Sequence, residues 1–342
     1  MRRSLAVAFI AVGLSNSAAA PEVAVGFVPV EIRISPIAVF KPGSSETHFG
    51  ALTFLGGFAM HTLNGNFGSW SGLDFAPDGR LVSVADTGFW LKATLIEDGE
   101  RPVGLKDAEI GVMLGDDGRP PPNKAAADAE GLRIVTRDGR ETALVSFEQK
   151  AAVRAYRGPD FADAAPKRMP LPKFVSGIRR NQGLEGIAVA PAASPLKGAT
   201  VLIAERSLDA AGNHRGFVLD GPMACAFAIR RSEDFDVSDA NFLADGDLLI
   251  LERRFSYSAG FATRIRRISA AGIRPGATLD GPVLIEADNS YQIDNMEGLA
   301  VRTTATGDTL LTLISDDNHG FLQRSILLQF KLAAPPLPAA KP

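Results

Sequence analysis

Cysteine is almost missing from this chain: Cys225 is the only one in 342 residues. No internal disulfide is open to it, so the fold must be held by its core, with metal as the other available clamp. The thiol lies in the apolar run 224–229 and reads as a buried, inert side chain rather than a nucleophile. Histidine is scarce as well. None of the four has metal-ligand spacing with another, which turns any metal site away from zinc or copper. Positive charge is not in excess. Leaving out Arg2 and Arg3, 34 basic side chains face 39 acidic ones, a net charge near −5, and the basic residues are scattered. That gives no electrostatic case for nucleic acid or for an anionic membrane surface. No Gly-x-Ser-x-Gly elbow occurs, so a serine-hydrolase triad on an α/β sheet is not expected. After the first twenty residues no apolar run is long enough to cross a bilayer, and no long stretch has a capped 3.6-residue period.

What is present begins with those first twenty residues. Arg2 and Arg3 precede an uncharged apolar run at 5–14, and small residues follow at 15–20. This order is that of a secretory signal peptide, with cleavage near Ala19 and a periplasmic or secreted destination. An uncleaved anchor is the alternative, and the shortness of the run speaks against it. Residues 21–334 read as a single domain and 335–342 as a frayed tail.

Short β-rich runs broken by Gly, Pro and Asp-Gly fill the domain, and they repeat. Ser71-Gly72-Leu73-Asp74-Phe75 is followed by Asp78-Gly79 and a second apolar run ending at Asp86. Glu130-Gly131-Leu132 is followed by Asp138-Gly139 and a run ending at Glu148. Glu185-Gly186-Ile187 leads to Glu205 without an Asp-Gly, Ser238 to Leu243 leads through Asp245-Gly246 to Glu252, and Glu297-Gly298-Leu299 leads to Asp316. Asp-Gly between apolar runs is a hairpin signal, because both residues tolerate positive φ. The units open at 71, 130, 185, 238 and 297, a spacing of 53 to 59 residues that suits a four-stranded propeller blade. Five units are visible. A sixth blade is expected from residues 21–60 joined to a C-terminal strand at 325–332, so the fold class is an all-β propeller, six-bladed with five or seven blades as the alternatives, and with a carboxylate-lined central channel.

In an antiparallel hairpin the start of one strand lies beside the end of the next. Glu130, Glu185 and Glu297 at strand starts should therefore meet Asp86, Glu148, Glu205, Glu252 and Asp316 at strand ends, all at the channel mouth. Acids gathered there repel one another unless something positive binds, and hard oxygens favour Ca²⁺. The metal candidates are Glu130, Glu185, Glu297, Glu205 and Glu252. The bland alternative is a ring of structurally paired acids. Arg206, Arg253 and Arg254 beside them are either ion-pair partners or anchors for a substrate anion. Asp316, Asp86 and His319 are the candidates for proton transfer, His319 being the best-placed imidazole and His214 the next, although a surface-loop histidine is the plainer reading of His319.

These motifs, with Asp128-Ala129-Glu130-Gly131-Leu132, Asn181-Gln182-Gly183-Leu184-Glu185-Gly186-Ile187, Asn295-Met296-Glu297-Gly298-Leu299 and Ser315-Asp316-Asp317-Asn318, resemble the phytase-like family over residues 50 to 331. The resemblance implies an exported bacterial propeller that binds calcium and hydrolyses a phosphate or carboxylic ester. Ser71 and Ser238 stand where the other units carry Glu, so the acidic ring is incomplete. Two readings follow. One is a metal-assisted hydrolase of a small anionic or ester substrate; the other is a non-catalytic propeller that binds a ligand or a cell-envelope partner around a structural Ca²⁺. Either way the chain is read as a monomer, with no nucleic-acid partner and no membrane segment after signal cleavage.

Overall fold

The computed structural model describes residues 25–137, 139–149, 151–178 and 183–333. The leader at 1–20, the tail at 335–342, Asp138, Asn181 and Gln182 lie outside the described residues.

Five sheets stand in a ring. Their innermost strands are Trp70–Phe75, Ala129–Arg137, Leu184–Val189, Asp236–Phe242 and Asn295–Thr303, which define blades one to five in that order. Each inner strand packs on the next, and the fifth packs on the first. Outward from each runs an antiparallel second strand: Leu81–Ala85, Arg140–Phe147, Thr200–Ala204, Leu248–Ser256 and Thr309–Asp316. The blades are covered on both faces, which is why their strands read as near-continuous apolar runs. Five hydrophobic clusters result, one at each interface between neighbouring blades. In the first hairpin the Asp-Gly turn works as its composition suggests: Gly79 takes φ +86°, and Asp78 Oδ1 accepts from the Arg80 amide.

The propeller has five blades, not six. The anticipated pairing of the two ends of the chain does form, with Leu52–His61 against Ile326–Leu332. Ile326–Leu332, however, is already the third strand of blade five, bonded to Thr309–Asp316. The C-terminal stretch supplies only three strands of that blade, and the N-terminal strands Leu52–His61 and Arg33–Ile37 complete it rather than opening another. Of the other N-terminal strands, His48–Phe49 pairs with Leu52–His61 and Phe27–Pro29 borders the outer edge of blade one.

One irregularity recurs in every blade. Where the inner strand begins, the pairing register slips by one residue: Trp70 pairs with Ala85 but Gly72 with Val84, and the same step occurs at Leu184/Gly186, Val237/Asp239 and Met296/Gly298. In blade two Ala129 pairs with Phe147 and Leu132 with Val145. The additional residue is a β-bulge, a device that re-aims a side chain. The residue after it is Gly in four blades. A Cβ at Gly72 would lie 2.7 Å from the Glu130 carbonyl oxygen, and one at Gly131 2.4 Å from that of Glu185, so glycine here lets adjacent inner strands meet.

Candidate functional site

The bulges aim Glu130, Glu185 and Glu297 into a central cavity of about 680 Å³. The second strands reach the same level at Asp86, Glu148, Glu205, Arg253 and Asp316. Asp128 and Asn295 flank the bulges of blades two and five, and Lys124 reaches in from the short helix Lys124–Ala127 before blade two. Among the described residues the lining thus holds eight carboxylates against two cations.

The rim register corrects the sequence alignment in blade four. Asp86, Glu205 and Asp316 each stand two residues past the partner of the glycine, at Val84, Ile203 and Ile314. In blade four the corresponding partner is Leu251, so the rim residue is Arg253 and not Glu252. Glu252 does not line the cavity. It is fully buried and clamped by two arginines, with Arg264 Nε at 2.7 Å and Arg266 Nε at 2.8 Å donating to Oε2. Arg253 faces the acids on either side, its Nη2 3.4 Å from Glu205 Oε1 and its Nε 3.3 Å from Glu297 Oε1.

The other predicted residues separate cleanly. Arg206 is exposed and donates to Asp236 Oδ2 at 2.6 Å, while Arg254 bonds the Glu233 carbonyl and lies over the Phe235 ring. Neither lines the cavity. His319 also stands outside it, exposed, in a turn with positive φ, because the loop after Asp316 turns its side chain away. His214 is buried, with its ring nitrogens facing the Glu205 and Phe235 carbonyls, and serves structure. Cys225 is buried as expected, and burial pushes its thiol upward. Sequence reasoning missed Asp128, Lys124 and Asn295 as site residues and did not count Glu148 among the metal candidates. Asp128 and Asn295 sit two residues before a bulge glutamate in Asp128-Ala129-Glu130 and Asn295-Met296-Glu297, so their repeated spacing was the available signal.

Electrostatics follow from the crowding. Burial, with the charges of Glu185 and Glu297, holds Glu130 well above the usual carboxylate range; burial and Glu205 do the same to Glu185, with Arg253 opposing. Burial pushes Glu297 up to about 8 against the pull of Arg253, Glu148 to about 7 with Asp128 adding, and Asp316 to about 6 with Asp86 adding. Two groups of three carboxylates bring oxygens within 4.8 Å of one another: Asp128, Glu130 and Glu148, and Glu148, Glu185 and Glu205. Three buried oxygens of the described cavity lining have no hydrogen-bond partner: Asp86 Oδ1, Asp128 Oδ2 and Asn295 Oδ1. Their residues are 8%, 6% and 2% exposed. Orphaned hard oxygens in an all-oxygen shell fit a hard divalent cation.

Beneath the acids an ion pair crosses the axis. Arg133 of blade two reaches across to Asp239 of blade four at 2.8 Å and donates to the Leu73 carbonyl of blade one at 3.0 Å. Asp239 Oδ2 accepts from the Leu299 amide of blade five at 2.8 Å. Asp239 occupies the position that is Gly in the other four blades. One buried ion pair therefore ties four inner strands together.

A model of the phytase-like family, described as esterase-like activity of phytase, matches residues 65–319. The chain belongs to that family. The phytase-like match spans all five inner strands and the whole cavity lining. No curated protein matches the chain. Among solved structures this phytase-like protein is similar to a PQQ-bound aldose sugar dehydrogenase from Streptomyces coelicolor, at 12% identity over 89% of this chain and 99% of that one, TM-score 0.44. It is also similar to a thermostable family-43 glycoside hydrolase, at 9% identity over 81% and 97%, TM-score 0.46. A third is an endo-arabinase from Bacteroides thetaiotaomicron, at 10% identity over 85% and 96%, TM-score 0.41.

Proposed function

We propose that this phytase-like protein is an exported, metal-assisted hydrolase of phosphate or carboxylic esters, acting as a monomer on a small substrate in its central cavity. The observation that carries the reading is the pair of carboxylate groups sharing Glu148, beside buried oxygens that nothing satisfies. Asp128, Glu130, Glu148, Glu185 and Glu205 would hold the metal, for which Ca²⁺ suits the oxygen-only shell. Bound there, it would polarise a phosphoryl or acyl oxygen as a Lewis acid.

The remaining residues orient and move protons. Arg253 holds the anionic end of the substrate, its fork kept charged by Glu297, Glu205 and Glu185 although burial opposes this. Asp316 is fixed by the Asn318 amide at 2.6 Å and by Asn295 Nδ2 at 3.4 Å, and with its carboxyl raised to about 6 it is suited to accept a proton from water near neutral pH. Lys124 Nζ grips Asp86 Oδ2 at 2.5 Å and so orients this rim carboxylate, whose Oδ1 is left without a hydrogen-bond partner.

The test is turnover of p-nitrophenyl phosphate and p-nitrophenyl acetate by the chelated protein, before and after Ca²⁺ is restored. Activity is expected only with metal, and Glu148→Gln should abolish it while the fold persists. Turnover undiminished in chelator overturns the metal role. A metal-dependent rise in melting temperature with no turnover of either ester replaces the hydrolase with a ligand-binding propeller.

A further inference from the structure

Blade four departs from the others above the rim. In blades one, two and three the second strand stops one residue before its rim acid, and in blade five at the acid itself. In blade four it runs three residues beyond Arg253 to Ser256 and returns as Gly260–Ile268. The arm so formed carries three aromatic rings. Phe255 and Phe261 face one another across it as register partners, with ring centroids 4.8 Å apart, and Tyr257 meets Phe255 edge-on at 5.4 Å. Phe255 and Phe261 line the cavity together with Arg253. Phe255 is half exposed and Tyr257 fully so, at 50% and 101%.

Arg253 and Phe255 lie two residues apart on one strand, so they share a face and sit about 7 Å apart along it. A charged fork and an aromatic wall at that separation suit a ligand whose ester or acid group bears a flat apolar ring. We infer that the arm of blade four is the leaving-group or acyl-group subsite, and that the protein prefers aryl esters, the ring resting on Phe255, Tyr257 and Phe261 while Arg253 holds the acid group. This rests on the proposed ester chemistry of the same cavity. Edge-to-face and stacked ring contacts supply the selectivity, and the exposure of Tyr257 in the free protein is the surface a ring would cover.

Binding of phenylphosphonate and methylphosphonate, neither of which can be hydrolysed at its P–C bond as an ester would be, tests this with full-length mature protein and Ca²⁺ present. The expected result is at least about tenfold tighter binding of the phenyl compound, in line with burial of one aromatic ring. In a Phe255→Ser/Tyr257→Ser variant the preference should collapse to about twofold or less, whereas Leu322→Ser, which removes an exposed apolar residue on blade five, should keep it. A melting curve confirms that each variant is folded. Equal binding of the two phosphonates by the unaltered protein, or a preference that survives the double substitution, overturns the aryl subsite and leaves the hydrolase reading standing. If neither phosphonate binds, the anion-binding cavity itself fails, and the subsite falls with it.

Discussion

Glu252 and Glu185 are both buried glutamates on blade hairpins, and chemically they are the same residue in different company. Glu252 has two guanidinium groups on it, from Arg264 and Arg266, and Arg266 is in turn 2.8 Å from Asp280. Glu185 has no ion pair among the described residues; Glu205, Glu148 and Glu297 crowd it, and Arg253 compensates from a distance. A buried charge is retained at a structural position only if its partners arrive with it, whereas a functional site keeps charges that await a partner from outside. The two glutamates therefore predict opposite responses to removal.

The largest effect should come from Glu252→Ala. It leaves two buried arginines without their shared anion, and breaking such a network costs about 3–5 kcal/mol. The denaturation midpoint should fall accordingly; a midpoint within the error of the unaltered protein would sink the structural role. Next comes metal. Ca²⁺ at a hundredfold excess over its dissociation constant should stabilise the chelated protein by about 2.7 kcal/mol. Glu185→Gln should lose that gain, and yet in chelator it should be no less stable than the parent, because it removes repulsion. A Glu185→Gln protein that melts lower than the parent in chelator would place Glu185 with Glu252.

A smaller effect, spread over pH, separates the same two classes. In the folded, metal-free protein Glu297 keeps its proton to about 8, Glu148 to about 7 and Asp316 to about 6, against ordinary values of 4.5, 4.5 and 3.8. Between the ordinary and the raised values the folded state binds more protons than the unfolded chain, so stability falls as pH rises through that window. Melting in chelator at pH 5 and at pH 8 should show the decline, and Ca²⁺ should flatten it by taking the place of the protons. The smallest effects belong to residues outside the cavity. Arg254→Ala forfeits a cation–π contact worth about 0.5–1 kcal/mol, and His319→Ala should leave turnover within about twofold of the parent, since an exposed imidazole outside the lining has no reacting atom to touch.

The legibility of these features in sequence follows their range. The blades could be read because each inner hairpin is local, its two apolar runs lying within about thirty residues of one another, with an Asp-Gly turn to mark it in blades one, two and four. Glu130, Glu185 and Glu297 were identified by their shared glycine, although its reason proved to be contact between neighbouring inner strands. Blade number escaped because Leu52–His61 and Ile326–Leu332 pair across most of the chain. The one-residue slip that puts Arg253 at the rim instead of Glu252 is a property of the bulge, and two adjacent charged residues give no sign of which faces inward. Arg133 and Asp239, 106 positions apart, could not be matched by any local rule.

That last pair also bears on turnover. Arg133 and Asp239 cross the axis beneath the acids, while Lys124 and the aromatic arm border the cavity above them. On the proposed reading, a molecule that entered past Lys124 and the aromatic arm would leave by the same side once cut, and a second would wait until it did. Traffic through such a vestibule would be single file, so a product held on the arm would delay the next arrival as surely as a slow chemical step.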